Sequence, residues 1–339
     1  MADWVLSILV LAASSALTGV MCDYAVKRSL IDIPNARSSH DAPTPRGGGL
    51  GFVAAFLLAM LGLFYSDRVP DDLFTALSGS GLLIAGIGYW DDHNHVPAQW
   101  RILVHLVAAV WAVTWLGGLG PIPFGSLWLP LGWIGDVIAV FSLVWLLNLF
   151  NFMDGIDGIA ASEAVFATSS AAGLLLLVDP DQAPAALWLL LLAAAALGFL
   201  LWNWPPARIF MGDVGSGFLG MMLGMFALYT SMQAGLNVWV WLILLGLFIV
   251  DATWTLLRRM SAGERWHEAH CSHAYQRLAR AWQSHKKVTL AAWLVNVLWL
   301  LPLALLATLW PQKGALCLAV AYMPLLVLAH RLGAGRTDR

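Results

Sequence analysis

The sequence predicts an all-α bundle of about eleven membrane-spanning helices, and three observations carry that reading. Hydrophobic residues make up 60% of the chain and charged residues 11%, with a mean hydropathy of +0.75. A soluble domain carries about 25% charged residues, so charge here is too scarce to cover a surface in water. Apolar runs of span length follow one another along the chain, and the basic residues collect in alternate connections between them.

The runs cover roughly residues 4–21, 48–65, 73–90, 102–117, 133–151, 159–178, 184–201, 215–231, 237–256, 288–309 and 314–330. A helical span needs about 20 apolar residues, and no run alternates as a membrane β-barrel strand does. The first run follows Asp3 and precedes Lys27 and Arg28. That order suits a retained span with its N-terminus outside better than a cleaved signal peptide. With this start, all of the 18 Lys and Arg except Arg68 and Lys313 fall in cytoplasmic segments, as the positive-inside rule requires. An odd number of spans then leaves the C-terminus in the cytoplasm. The expectation is one integral membrane domain over 1–339, with no linker or repeat.

The outside connections are short. Polar residues sit in the cytoplasmic segments 22–47, 91–101, 152–158, 202–214 and 257–287, where the chemistry is expected. A net charge of −2 argues for no nucleic-acid partner. Cys22, Cys271 and Cys317 have no metal-site spacing and read as small buried apolar residues.

Three of these segments bring carboxylates to the end of a span. Asp91 and Asp92 follow the third run; Asn151, Asp154 and Asp157 close the fifth; Asp213 follows the seventh. Neighbours at i and i+3 share a helix face, so Asn151 with Asp154 can point into one site. Gly155 ends regular helix there, and a single stripe is not expected. Converging carboxylates raise one another's pKa unless a cation holds them. Oxygen ligands without His or Cys clusters suit Mg²⁺ or Mn²⁺ better than Zn²⁺.

The segment from Arg258 to Lys287 combines basic residues with His270 and His273. Tyr275, Leu278 and Trp282 are spaced as one apolar stripe with Arg277 and Arg280 on a more polar face, which predicts a short interfacial helix. The histidines are candidates for phosphate contact. The segment Asp32–Gly49, containing His40 and Arg46, is too rich in Pro and Gly for a regular helix. It is not a phosphate-binding P-loop, and its glycines read equally well as helix-packing residues. His105, Asp136, Glu163 and Asp251 lie near helix ends and are expected to face the bundle interior, because charge in lipid is costly. A transporter would place ionisable groups at mid-depth beside broken helices; here they hug one face, which favours an enzyme.

Asp91–Asp92, Asn151-x-x-Asp154-Gly-x-Asp157-Gly, Pro206-Ala-Arg-x-Phe-Met-Gly-Asp213 and the late histidine-containing loop resemble the polyprenyl-phosphate N-acetylhexosamine-1-phosphate transferases, glycosyltransferase family 4. The order covers roughly residues 30–280, and the chain looks most like the WbpL-like initiators of O-antigen synthesis. The resemblance implies transfer of HexNAc-1-phosphate from a UDP-N-acetylhexosamine to undecaprenyl phosphate, releasing UMP, with Mg²⁺ (or Mn²⁺) as cofactor. It implies catalytic roles for Asp91, Asp92, Asp154, Asp157 and Asp213, with Asp213 and Asp154 as metal ligands. Asn151, Asn203 and Phe210 would line the uridine and diphosphate pocket. Arg208, Arg101, His40, Arg46, His270, His273 and Arg277 would bind phosphate or sugar. It further implies a bacterial inner membrane location, a cytoplasmic site and a homodimer.

Two departures stand out. No basic residue closely follows the Asp pair, Arg101 being the nearest, and Tyr275–Gln276 replace the consecutive histidines of many relatives. The second speaks against the peptidoglycan-precursor branch. Other envelope-glycan initiators (teichoic acid, enterobacterial-type antigen or peptidoglycan precursor) and a lipid or nucleotide-sugar transporter are the competing readings.

Overall fold

The structure, a computed structural model, describes residues 3–34, 42–94, 96–264 and 270–336. In chain order it contains α1 (Asp3–Lys27), the paired strands β1 (Ile31–Asp32) and β2 (Thr44–Pro45), α2 (Gly49–Phe64), α3 (Asp71–His93) and α4 (Ala98–Leu116). The hairpin of β3 (Ile122–Phe124) and β4 (Leu127–Leu129) precedes α5 (Trp133–Met153), α6 (Ile159–Val178), α7 (Ala183–Asn203) and α8 (Asp213–Gln233). Then follow α9 (Val238–Leu244), α10 (Gly246–Ser261), α11 (Ala274–Trp282), α12 (His285–Val295), α13 (Leu301–Leu309) and α14 (Gly314–Arg331).

Every predicted run is helical. Among the described residues nine helical segments are long and apolar enough to cross a membrane, α9 with α10 makes a tenth, and α2 is a shorter apolar helix of 16 residues. The short helix predicted in the late loop is α11. The short connection over 118–132 folds as the β3–β4 hairpin.

The predicted span over 237–256 is not straight: α9 and α10 meet at 75°. A break inside a membrane leaves backbone groups that need partners. Here Tyr322 of α14 donates its hydroxyl to the carbonyl of Leu242 at 2.7 Å. Beyond α12, Asn296–Leu300 is a π-helical turn. Pro302 follows it, and a proline ring clashes with the carbonyl four residues earlier, so the wider turn accommodates it.

α7 and α8 form the enclosed centre, while α1 lies at the rim. Apolar association within lipid rests on close packing rather than water exclusion, and small residues permit it. A methyl on Gly49 would lie 2.5 Å from the Cα of Gly215, and one on Gly88 would lie 2.6 Å from the Val214 nitrogen. These approaches set α2 and α3 directly against the start of α8. Deeper in, Phe52, Phe56, Phe199, Phe218 and Phe226 pack with ring centroids 5.6–6.3 Å apart.

The connections predicted to share a side do share an end of the bundle. At one end Arg68 pairs with Asp3 at 2.7 Å and Trp188 donates to the Arg68 carbonyl at 3.2 Å. Trp239 reaches the Pro123 carbonyl there at 2.7 Å. The carboxylate loops lie at the other end. Glu163, Asp251 and His105 are buried as expected, but Asp136 is exposed in the first turn of α5. A carboxylate is favourable at that position because the helix N-terminus is positive.

Candidate active site

At the second end, the finishing helices α3, α5 and α7 and the starting helices α8 and α12 surround a polar cleft of about 280 Å³. Gly88 allows α3 to approach α8 so closely that Asp92, one turn on, reaches the α8 N-terminus. Its carboxylate accepts from the backbone nitrogens of Asp213 at 3.0 Å and Val214 at 3.2 Å. Gly212 stands at φ +75, and a methyl there would fall 2.5 Å from Asp92 Oδ2. Arg46, carried in by β2, donates to the Asp92 carbonyl.

The capping leaves Asp213 facing the cleft. Asn151 of α5 donates to its Oδ1 at 2.7 Å and to the Ser216 hydroxyl at 3.1 Å. Arg101 of α4 pairs with Asp91 at 2.6 Å and approaches Asp213 Oδ2 at 3.4 Å. Arg101, the nearest basic residue after the Asp pair, thus pairs with Asp91 from the next helix. Asp91 also accepts from the Val96 nitrogen at 2.8 Å, and neither Asp91 nor Arg101 lines the cleft itself.

The loop after α5 holds the opposite wall. Asp157 accepts from the Ala207 nitrogen at 3.0 Å and sits 3.2 Å from His285 Nδ1, while Thr289 donates to its carbonyl at 3.0 Å. His285 and Thr289, four residues apart on α12, therefore grip Asp157 from one helix face. Asn203 accepts from the Gly158 nitrogen and donates to the Ile209 carbonyl, both at 2.9 Å. Its polar atoms tie the two carboxylate loops together, and Phe210 lies beside it on the wall. Asp154, between the two walls, has its carboxyl pushed well above the usual range by burial and then by the charges of Asp213, Asp157 and Asp92.

The late loop enters through α11. Asp251 of α10 accepts from the backbone nitrogens of Ala274 at 2.9 Å and Tyr275 at 3.0 Å. Tyr275 donates its hydroxyl to the Phe152 carbonyl at 2.9 Å, and Gln276 lines the cleft against Gly155. The two residues that depart from the consecutive-histidine pattern are the ones that meet the carboxylate loop.

The other predicted residues lie elsewhere. His273 is buried, with Nδ1 3.4 Å from Asp251, and stacks on both His270 and Tyr275. His270 has its pKa lowered to about 3, by burial first and then by His273 and Arg259. Neither histidine lines the cleft. Arg277 donates to the Arg336 carbonyl at 2.5 Å, and Arg208 lies over the Trp202 ring at 5.8 Å. His40 falls outside the described residues. Sequence reasoning did not name Ser216, Gln276, His285 or Asp32 as site residues, all of which line the cleft. His285 falls at the end of the polar segment 257–287, just before an apolar run, and that position is the one signal that could have drawn notice.

Among the described residues no three His, Cys, Asp or Glu converge as a ready-made metal site. Mg²⁺, however, keeps several waters and takes one or two carboxylates plus substrate phosphates. Asp213 and Asp154 are an all-oxygen pair of that size, and the mutual repulsion at Asp154 is what a cation would relieve.

Residues 74–231 match glycosyl transferase family 4. The chain is 29% identical over 325 residues to the probable undecaprenyl-phosphate N-acetylglucosaminyl 1-phosphate transferase of Bacillus subtilis, covering 91% of this chain and 87% of that one. It is 30% identical over 315 residues to the decaprenyl-phosphate N-acetylglucosaminephosphotransferase of Mycolicibacterium smegmatis, covering 82% and 75%. It is also 32% identical over 224 residues to the phospho-N-acetylmuramoyl-pentapeptide-transferase of Synechocystis, covering 62% and 58%. With the carboxylate loops in one cleft and this breadth of similarity, the chain belongs to glycosyl transferase family 4, as its motifs predict.

Proposed function

We propose that this membrane protein transfers N-acetylhexosamine-1-phosphate from a UDP-sugar to undecaprenyl phosphate, releasing UMP, and that it initiates O-antigen assembly at the cytoplasmic face of a bacterial inner membrane. The observation that carries this reading is the cleft: carboxylates from three separate loops meet Asn151, Arg46 and Phe210 at one end of an apolar bundle. Such a place admits a water-soluble diphosphate and a lipid phosphate together.

In the reaction an oxygen of the lipid phosphate attacks the sugar-bearing phosphorus of the donor. The bond from that phosphorus to the bridging oxygen breaks, and UMP leaves with the electron pair. A phosphate monoester has a second pKa near ~6, so the acceptor is already largely a dianion and direct in-line attack needs little help from a base. Mg²⁺, when bound, would neutralise the diphosphate charge. Asp213 and Asp154 would hold it, Asn151 fixes the Asp213 carboxylate, and Arg101 balances the Asp91–Asp213 pair. Asp92 orients Asp213 by capping α8.

A transporter is the competing class, and the 75° bend between α9 and α10 is a broken helix of the kind transporters use. The residues around that bend are Ile243, Leu244, Leu245, Gly246 and Phe248, all buried and none ionisable. The polar groups remain at the end of the bundle, which supports the enzyme.

Purified protein given a panel of UDP-N-acetylhexosamines should release UMP only when undecaprenyl phosphate and Mg²⁺ are both present. A stable phospho-enzyme formed with UMP release before acceptor addition would overturn direct attack. Sidedness is checked by labelling: His93→Cys should react from the cytoplasm and Asp181→Cys from outside. Reaction of both from one side would refute the orientation.

A further inference from the structure

The residues after the last span form a turn that none of the proposed transfer steps uses, yet it is tied to α10 and α11 at several points. The Gly335 nitrogen donates to the Ser272 carbonyl at 2.9 Å, immediately before the α11 N-terminus. Arg258 of α10 donates to the Ala334 carbonyl at 3.2 Å, and Arg277 of α11 donates to the Arg336 carbonyl at 2.5 Å. Ala334 is fully buried in a small cluster with Ala274 and Ala329, closed by Trp254 and Leu332. The turn is built for this place. Gly335 stands at φ +75, and a methyl on it would lie 2.8 Å from the Thr255 carbonyl.

We infer that the turn Leu332–Arg336 is a positioning clasp for the donor side of the cleft. It pins Ser272 and Ala274, the residues that lead directly into Tyr275 and Gln276. Tyr275 is bonded to the Phe152 carbonyl, and Gln276 lies against Gly155 between Asp154 and Asp157. The clasp therefore reaches the cleft through α11 without touching it. Asp251 holds the α11 N-terminus from below through two backbone nitrogens. These bonds, with the Tyr275 hydroxyl on Phe152 and the buried Tyr275 and Ala279, hold one face of a nine-residue helix that would be marginal by itself. The turn adds restraints at Ser272, Ala274 and Arg277.

The inference rests on the transferase reading for its kinetic consequence but not for its structural one. The experiment compares the full chain with a chain ending at Arg331 and with Gly335→Val, all in nanodiscs. Hydrogen exchange over residues 270–282 reads the clasp without turnover. Exchange there should rise about tenfold or more on truncation, less in Gly335→Val, with the spans unchanged, as expected when one local unit loosens. UMP release from UDP-GlcNAc reads the consequence: kcat/KM for the donor should fall about 10-fold to about 100-fold, mostly through KM, since small misplacements of a pocket wall carry such costs. KM for undecaprenyl phosphate should stay as it was.

Unchanged exchange over 270–282 in a folded truncated chain would overturn the clasp. Faster exchange with unchanged donor kinetics would overturn its role in the cleft, as would equal losses for donor and acceptor. If the full chain itself releases no UMP, the transfer reading falls, and the exchange result still decides the clasp.

Discussion

Two helices of this molecule begin in the same way and end up with opposite duties. The first two backbone nitrogens of α8 are held by Asp92 from α3, and those of α11 by Asp251 from α10. Both capping carboxylates are buried, and each sits where a helix N-terminus offers positive potential and unpaired N–H groups. Asp92 presents Asp213, a second carboxylate that opens onto the cleft beside Asp154. Asp251 presents Tyr275 and Gln276, which are uncharged at neutral pH, on the facing wall. The comparison separates carboxylates that build from carboxylates that remain available to a cation. A motif containing both kinds looks uniformly catalytic in the sequence.

The sharpest test of that separation is Asp213→Asn. Turnover should fall by more than ~10²-fold, the usual loss when one electrostatic stabiliser is removed, while the unfolding temperature barely moves. Normal activity at saturating Mg²⁺ would take Asp213 out of the site. Next in size are the caps. Asp92→Ala and Asp251→Ala each strand two backbone donors, at a cost of about 1–3 kcal/mol per unsatisfied group, visible as a lower unfolding temperature in detergent. Asp92→Ala should also lower kcat, because Asp213 loses its anchor, whereas Asp251→Ala should act chiefly on donor KM. Identical kinetic defects in the two variants would dissolve the distinction.

A smaller effect is expected at Gln276. Replacing it with Ala should change the ratio of kcat/KM for UDP-GlcNAc and UDP-FucNAc by ~10²-fold or less, the range open to a wall that does not bond the differing hydroxyl. A constant ratio in an active enzyme would move sugar choice to another segment. Smallest is the effect of His270. Its folded pKa of about 3 lies below the unfolded value of 6.5, so the unfolded chain binds a proton that the folded chain refuses. Its contribution to stability is therefore complete above about pH 6.5 and declines as the pH falls towards 3. His270→Phe should flatten that decline and leave the pH dependence of turnover near neutrality untouched. A lost acid limb near pH 6.5 in the variant would place His270 in the chemistry after all.

The sequence by itself determined the helical runs, the clustering of polar segments at one end and the family. Span length, scarce charge and the carboxylate motifs are local properties, and lipid allows a chain of this composition few architectures. It also pointed to Tyr275–Gln276 as a departure worth watching. Only the tertiary structure decided what each polar group does there. Asp92 became a cap because Gly88 lets two helices touch; Asn203 became a strut between loops; Arg101 paired with Asp91 across ten residues. His285 joined the cleft through a partner 128 residues away, while His273 turned towards Asp251 and His270 stacked on His273. Those outcomes depend on which helices approach and how closely, and contacts between residues so far apart in the chain leave no periodic trace in one sequence.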